Sequence, residues 1–189
     1  MEKKTMLVDL DNVICSPGFL TIANRFLNTN YKEEDFEEYL IDDIFGDRAQ
    51  EFYDYYITQD GYKDAVFKEG AKETLKKLNE YYNIHICSAC VMFGAEKQSA
   101  KLFADKYNFL IHELPFLNPE HIIFTNSKNI FKADVQIDDR LQNLQGEVKT
   151  KLLFHSYHNK KITDEELNAQ HVLRVKNWVE IGDLLLKNI

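Results

Sequence analysis

Six short apolar runs recur along the chain, with room for a helix between most of them. They cover Thr5–Asp9, Ile84–Ser88, Ile122–Phe124, Asp134–Ile137, Lys151–Phe154 and Val172–Val175. Several are continuously apolar rather than alternating, the pattern of strands covered by helices on both faces. Ala71, Leu75, Leu78 and Tyr82 fall at helical spacing, with Gly70 just ahead of them. A second helix is predicted after Gly94, with Ala100, Phe103, Ala104 and Tyr107 as its inward stripe. A third closes the chain, with Trp178, Ile181 and Leu185 facing inward. Strand–helix–strand order with right-handed crossovers predicts an α/β fold around a parallel sheet. No internal repeat or low-complexity tract interrupts it.

Residues 16–67 break this alternation. The segment reads as helical, with no convincing strand, and divides the chain into a core of residues 1–15 and 68–189 and an insertion of 16–67. The insertion is rich in rings: Phe36, Tyr39, Phe45, Phe52, Tyr53, Tyr55, Tyr56, Tyr62 and Phe67. It is also acidic, with Glu33, Glu34, Asp35, Glu37, Glu38, Asp42 and Asp43 close together. An aromatic core under a solvated acidic face accounts for most of these residues. A lid whose rings meet a substrate is the functional alternative for the rest.

Composition narrows the picture. The chain has 189 residues, 44% of them hydrophobic and 13% aromatic, enough for one main domain with an insertion. No apolar stretch approaches the roughly 20 residues of a membrane span, and the short, acid-containing run at the start is no signal peptide. A cytoplasmic protein, acting as a monomer or homodimer, is the resulting expectation. The formal net charge of −8 disfavours nucleic acid as a partner but leaves room for a small phosphorylated substrate held by a metal and a lysine. Cys15, Cys87 and Cys90 fit a reducing compartment. Cys87 and Cys90 form a C-x-x-C, but no second pair completes a zinc site, so two core-lining thiols are expected and a redox role is secondary.

The chemistry gathers at strand ends, where ligands bind in open parallel sheets. The first apolar run, MLVDLDNV, stops at Asp9 with Asp11 two residues on, and strand alternation would point both carboxylates the same way. Side by side, they persist at low cost only with a cation between them or with one protonated. The Ile84–Ile86 run ends at Ser88, the Val135–Ile137 run at Asp138-Asp139-Arg140, and Lys128 lies in the loop before the latter. Each alone is weak: surface acid pairs, a strand-end serine and a loop lysine are all common. Together, in this order, they make a coherent phosphoryl-transfer site. A divalent cation held by Asp9, the Asp11 backbone carbonyl and one of Asp138 or Asp139 would offset the repulsion between a carboxylate and a phosphate dianion. Asp9 could then act as nucleophile and Asp11 as acid and base, while Ser88 and Lys128 bind the phosphoryl oxygens. All-carboxylate ligation points to Mg²⁺.

DLDNV, Ser88, Lys128 and IDDR resemble the four signature motifs of the haloacid dehalogenase-like (HAD) phosphohydrolases, and most closely the 5'(3')-deoxyribonucleotidase branch. That branch opens with D-x-D-G-V-L and places its lysine ten residues ahead of I-D-D-[RK], the separation of Lys128 from Asp138. Leu153-Phe154 to Asn159 and the closing helix from Trp178 extend the likeness over nearly the whole chain. It implies a Rossmann-like core, a helical cap inserted after the first strand, and Mg²⁺-dependent dephosphorylation of nucleoside monophosphates. It also implies Asp9 as nucleophile, Asp11 as acid/base, and Asp139 as the metal ligand of its pair ahead of Asp138. Four positions depart from the branch. Asn12 replaces a glycine, though asparagine tolerates left-handed backbone. Ser88 stands for threonine, Ala89 for a second hydroxyl, and Asn126 for an arginine. Lys97 or Lys101, on the helix after Ser88, is expected to supply the missing charge.

Rival readings are a HAD phosphatase for another small phosphorylated metabolite, a 3'-phosphatase of nucleic-acid ends, and a binding module without catalysis. The acidic insertion argues against the second, and the retained Asp9, Asp11, Ser88 and Lys128 argue against the third. His85, His112, His121 and His171 lack metal-ligand spacing. His155 and His158 are read as loop residues, and Cys15 as a buried turn residue.

Overall fold

The computed structural model describes residues 3–39, 41–92, 96–97 and 99–187. In chain order the strands are β1 (Lys4–Val8), β2 (Cys15–Ser16), β3 (Val66–Phe67), β4 (Tyr82–Ser88), β5 (Ile122–Phe124), β6 (Lys132–Asp138), β7 (Glu147–Phe154) and β8 (Val172–Val175). The helices are α1 (Phe19–Leu27), α2 (Ala49–Tyr56), α3 (Ala71–Leu78), α4 (Ala100–Glu113), α5 (Asp164–Ala169) and α6 (Trp178–Leu186). Every apolar run picked from the sequence is a strand of one six-stranded sheet, ordered β5-β4-β1-β6-β7-β8. All five of its pairings are parallel. This is the parallel α/β core the pattern predicts, and the Rossmann-like core the resemblance implies.

The apolar side chains of β1, β4 and β6 meet those of α3 and α6 in the main core. Met6, Val8, Leu75, Leu78, Ile84, Ile86, Ile137, Trp178 and Ile181 are each at most 1% exposed. Helix α3 starts after Gly70, whose φ of 75° lies in the left-handed region that glycine enters without strain. Tyr82, assigned from sequence to that helix face, is the first residue of β4 and is buried there. Trp178 opens α6 and donates its indole N–H to the Val13 carbonyl at 2.8 Å, tying the end of the chain to the turn after β1.

Helix α4 differs from the sequence expectation in its rotation. The buried residues are Leu102, Lys106 and Leu110, whereas Ala100, Ala104 and Tyr107 are exposed and Phe103 is half-buried. The i, i+4 face that includes a lysine turns inward because that lysine finds polar partners below it. Gly94 lies outside the described residues.

Between β2 and β3 the chain forms α1, α2 and short 3₁₀ turns. The segment is not strand-free: β2 and β3 pair antiparallel, Cys15 with Phe67 and Ser16 with Val66, and bring its two ends together. Phe45 stacks on Phe52 at 3.9 Å, and Phe19, Phe26 and Tyr56 pack edge-on around Phe52 or Phe19. Cys90 and Leu102 pack against this cluster, so the insertion leans on the start of α4. Glu34, Asp35, Glu37, Glu38 and Asp43 are exposed, as a solvated acidic face requires.

Candidate active site

The sheet register sets the site. Val8 is level with Ile86 on one side and Ile137 on the other, so Asp9 emerges beside Cys87 and Asp138. Ser88, at the end of β4, is level with Phe124, from which the chain turns to Lys128. Asp9, Ser88, Lys128, Asp138 and Asp139 are all buried, at 7%, 0%, 3%, 1% and 1% exposure. Five polar side chains from three strand ends and one loop thus meet out of water.

Lys128 is the electrostatic hinge. Its Nζ lies 2.9 Å from Asp9 Oδ1 and 2.8 Å from Asp138 Oδ2. Burial alone would lower its pKa, but attraction to Asp9 and Asp138 outweighs that and raises it, so the ammonium stays charged. One lysine shared between two buried acids does not offset the burial of both. Asp9 is pushed up to about 6, chiefly by burial and further by Asp138 and Asp11, against the pull of Lys128. Asp138 and Asp139 are also raised, each mainly by burial.

The two acids of the IDDR motif differ in occupancy. Asp138 accepts from Lys128 on one oxygen and from the Arg140 backbone N–H and Asn143 Nδ2 on the other, at 3.0 and 2.8 Å. Asp139 meets His158 Nε2 at 2.8 Å through Oδ2. Oxygens of Asp9, Asp138 and Asp139 lie within 4.8 Å of one another, the spacing of ligands around one ion. Three buried carboxylates facing one lysine leave local negative charge uncompensated. Hard oxygen donors at this spacing fit a divalent cation such as Mg²⁺.

Asp11 departs from its sequence reading. Strand β1 ends at Val8, so the alternation that would align Asp9 and Asp11 stops before either residue. Asn12 follows with φ 61°, the left-handed turn expected of it, and its N–H donates to the Cys15 carbonyl at 2.7 Å. The Asp11 carboxylate is not one of the oxygens grouped with Asp9, Asp138 and Asp139. Oδ1 accepts from the Tyr62 hydroxyl, and Oδ2 from Lys106 Nζ at 2.7 Å.

Neither Lys97 nor Lys101 is turned to Ser88; the ammonium beside Ser88 is that of Lys106, whose partners are Asp11, Ser88 and the Ala89 carbonyl. Lys97 is exposed, and Lys101 is turned to Asp105 and the Gln59 carbonyl. Lys106 escapes the sequence pattern because the apolar stripe through Ala100, Phe103, Ala104 and Tyr107 lies one position out of phase with the buried face. The spacing Leu102–Lys106–Leu110 was the signal available. His158, read as a loop residue, stands on Asp139, whereas His155 faces a separate cleft with Lys160, Arg174 and Lys176. The insertion also reaches the site. Tyr62 does so at Asp11, and Tyr39 lies edge-on to His158 at 5.1 Å, with the Arg140 guanidinium 4.1 Å from its ring centre. Cys15, Cys87 and Cys90 are free and buried. Burial raises all three thiols, Cys87 to about 12 and Cys90 to about 11, which gives no support to a redox pair.

Solved structures share this fold at low sequence identity. A HAD family hydrolase from Deinococcus radiodurans, with bound phosphate and sodium, superposes with a TM-score of 0.52 at 16% identity over 98% of this chain and 96% of its own. The D,D-heptose 1,7-bisphosphate phosphatase of B. bronchiseptica, complexed with magnesium and phosphate, gives 0.55 at 11% identity over 98% and 99%. Among sequence relatives, the 5'(3')-deoxyribonucleotidase of Bacillus subtilis is 27% identical over 188 residues, 97% of this chain and 99% of that one. A Staphylococcus aureus relative is 34% identical over 119 residues, 63% of this chain and 59% of its own, so the match spans about three fifths of that relative. The model of the family "5' nucleotidase, deoxy (Pyrimidine), cytosolic type C protein" matches residues 3–188, and the chain belongs to that family.

Proposed function

We propose that the protein is a Mg²⁺-dependent phosphomonoesterase that dephosphorylates (deoxy)ribonucleoside monophosphates through an aspartyl-phosphate on Asp9. The observation that carries this reading is the buried Asp9–Lys128–Asp138 array with Asp139 within ligand distance. Family membership supports the nucleotide as substrate. Asp9 and Asp139 would hold the cation, helped by the Asp11 backbone carbonyl. Asp138, its oxygens already taken by Lys128, Arg140 and Asn143, would chiefly keep Lys128 in place. The bound cation would neutralise charge on the phosphate.

In the first step an Asp9 oxygen attacks phosphorus and the ester P–O bond breaks. Asp11 gives its proton to the departing oxygen, and the nucleoside leaves as an alcohol. In the second, Asp11 takes a proton from water as that water attacks the phosphorus, releasing phosphate and regenerating Asp9. Ser88 and Lys128 would bind phosphoryl oxygens throughout. Residues 16–67 would act as a cap, with Tyr62 and Tyr39 reaching the chamber while Phe45, Phe52 and Tyr56 hold the cap together.

The test is phosphate release from a panel of nucleoside monophosphates and of other small phosphate esters, with Mg²⁺ or a chelator. The expected result is turnover of nucleotides such as dUMP or dTMP that stops with chelator and in Asp9→Asn. Turnover confined to non-nucleotide esters would favour a phosphatase for another metabolite, the reading that Asn126 and Ala89 suggest. No turnover of any ester would overturn the proposal.

A further inference from the structure

Asp11 is gripped from two sides by groups outside the motif set. Tyr62, from the insertion, donates its hydroxyl to Oδ1, and Lys106, from α4, donates to Oδ2 at 2.7 Å. The same ammonium donates to Ser88 Oγ at 2.8 Å and to the Ala89 carbonyl. Its three protons therefore each have a partner, and none is left for a phosphoryl oxygen unless one of these bonds breaks. Lys106 is 6% exposed on the inward face of α4, between Leu102 and Leu110. A lysine is buried there at a desolvation cost that only its polar partners offset.

We propose that Lys106 and Tyr62 are positioning residues that aim the Asp11 carboxyl at the leaving oxygen of the scissile ester. The inference rests on the phosphomonoesterase reading above and adds to it two residues that act through Asp11. Asp11 sits in a turn beyond the end of β1, outside the ladders of the main sheet, with a single backbone bridge to Cys15. Two donors from separate elements supply the direction of its carboxylate and keep it out of the Asp9–Asp138–Asp139 cluster. Because Lys106 also holds Ser88, it couples the proton donor to one of the phosphate-binding hydroxyls. In the step it serves, the proton passes from Asp11 to the ester oxygen as the bond from that oxygen to phosphorus breaks.

In the first step such a clamp matters only where the leaving group needs a proton. A nucleoside alkoxide does, and 4-nitrophenolate does not. Release of the leaving group precedes the attack of water in which Asp11 serves both substrates as base. The experiment therefore compares the single-turnover rate of leaving-group release, with enzyme in excess, for dUMP and for 4-nitrophenyl phosphate, small enough for a site that admits a nucleotide, in wild type, Lys106→Met, Lys106→Arg and Tyr62→Phe. Removing aimed proton donation is expected to lower that rate for dUMP about 100-fold in Lys106→Met, and for 4-nitrophenyl phosphate no more than about threefold. Tyr62→Phe shows the same selectivity with a smaller loss, and Lys106→Arg recovers part of the dUMP rate. The thermal stabilisation by Mg²⁺ with beryllium fluoride, a mimic of phosphorylated Asp9, stays at its wild-type size.

Equal losses on both substrates, or none on either, would overturn the positioning role. So would loss of the beryllium fluoride response, which points to direct phosphate binding by Lys106. Should Lys106→Met fail to fold, Tyr62→Phe, which deletes a single oxygen, carries the same comparison. A wild-type protein inactive on both esters would instead sink the phosphomonoesterase reading itself.

Discussion

Lys128 stands between two carboxylates that water does not reach, and this one contact sets much of the site's electrostatics. Replacing it by methionine leaves Asp9 and Asp138 buried without their cation. In the absence of metal, Lys128→Met is expected to lose about 3–5 kcal/mol of stability in urea melts. Protonation supplies a second check. The folded protein holds the Asp9 proton up to about pH 6, well above the ordinary carboxylate value, so it binds that proton more tightly than the unfolded chain. The contribution is therefore full below the unfolded value and is lost as pH rises through the folded one. Asp138 and Asp139 shift the same way, while Lys128 stays charged throughout. Metal-free protein should accordingly melt at lower temperature at pH 7 than at pH 5. A cation that replaces those protons should raise the melting temperature more at pH 7 than at pH 5. An equal Mg²⁺ effect at both pH values would contradict the assignment of these acids as its ligands. Asp9, Ser88, Lys128, Asp138 and Asp139 were legible because each follows an apolar strand and strand ends converge. Lys106, Tyr62 and His158 were not, because their contacts depend on a helix rotation, an insertion and a loop that no local pattern encodes.

At the level of elements, the strands announce themselves and the helix faces do so less reliably. β5 and β8 match their apolar runs residue for residue, although they are the edge strands of the sheet and only partly buried. β7 starts four residues earlier than its apolar run, because Glu147 to Thr150 lie at the half-exposed beginning of the strand, where polar side chains reach water. Helix α4 misleads for a different reason: counting only apolar residues selects Phe103 and Tyr107 and overlooks a lysine buried on polar partners. Helix α6 was read correctly because Trp178, Ile181 and Leu185 are all apolar and all buried. Its indole bond to Val13 braces the turn that carries Asp11. Trp178→Phe leaves that buried carbonyl without its donor and is expected to cost about 1–3 kcal/mol in a denaturant melt. A loss well below 1 kcal/mol would show that the brace is not needed.

Across the whole molecule, a six-stranded parallel sheet carries the acids at its carboxyl edge, and the insertion leans over them from one side. The α/β class followed from the alternation of apolar runs along the chain. The β2–β3 ribbon that closes the insertion did not, since two-residue strands leave no period to read. Tyr39 joins the two parts through Arg140 and His158. If the insertion is a cap, Tyr39→Ala should raise KM for a nucleotide severalfold while leaving the melting temperature nearly unchanged, because the residue is 38% exposed. An unchanged KM would remove Tyr39 from the substrate chamber.

The central claim, that Asp9 is phosphorylated and then freed by water attacking phosphorus, is tested most directly by the stereochemistry at phosphorus, using a deoxyuridine phosphorothioate made chiral with ¹⁶O and ¹⁸O and hydrolysed in ¹⁷O-labelled water. Two successive in-line displacements, by Asp9 and then by water, each invert the centre, so the expected result is thiophosphate with net retention of configuration. Net inversion would mean that water attacks the ester directly, and would contradict the covalent route.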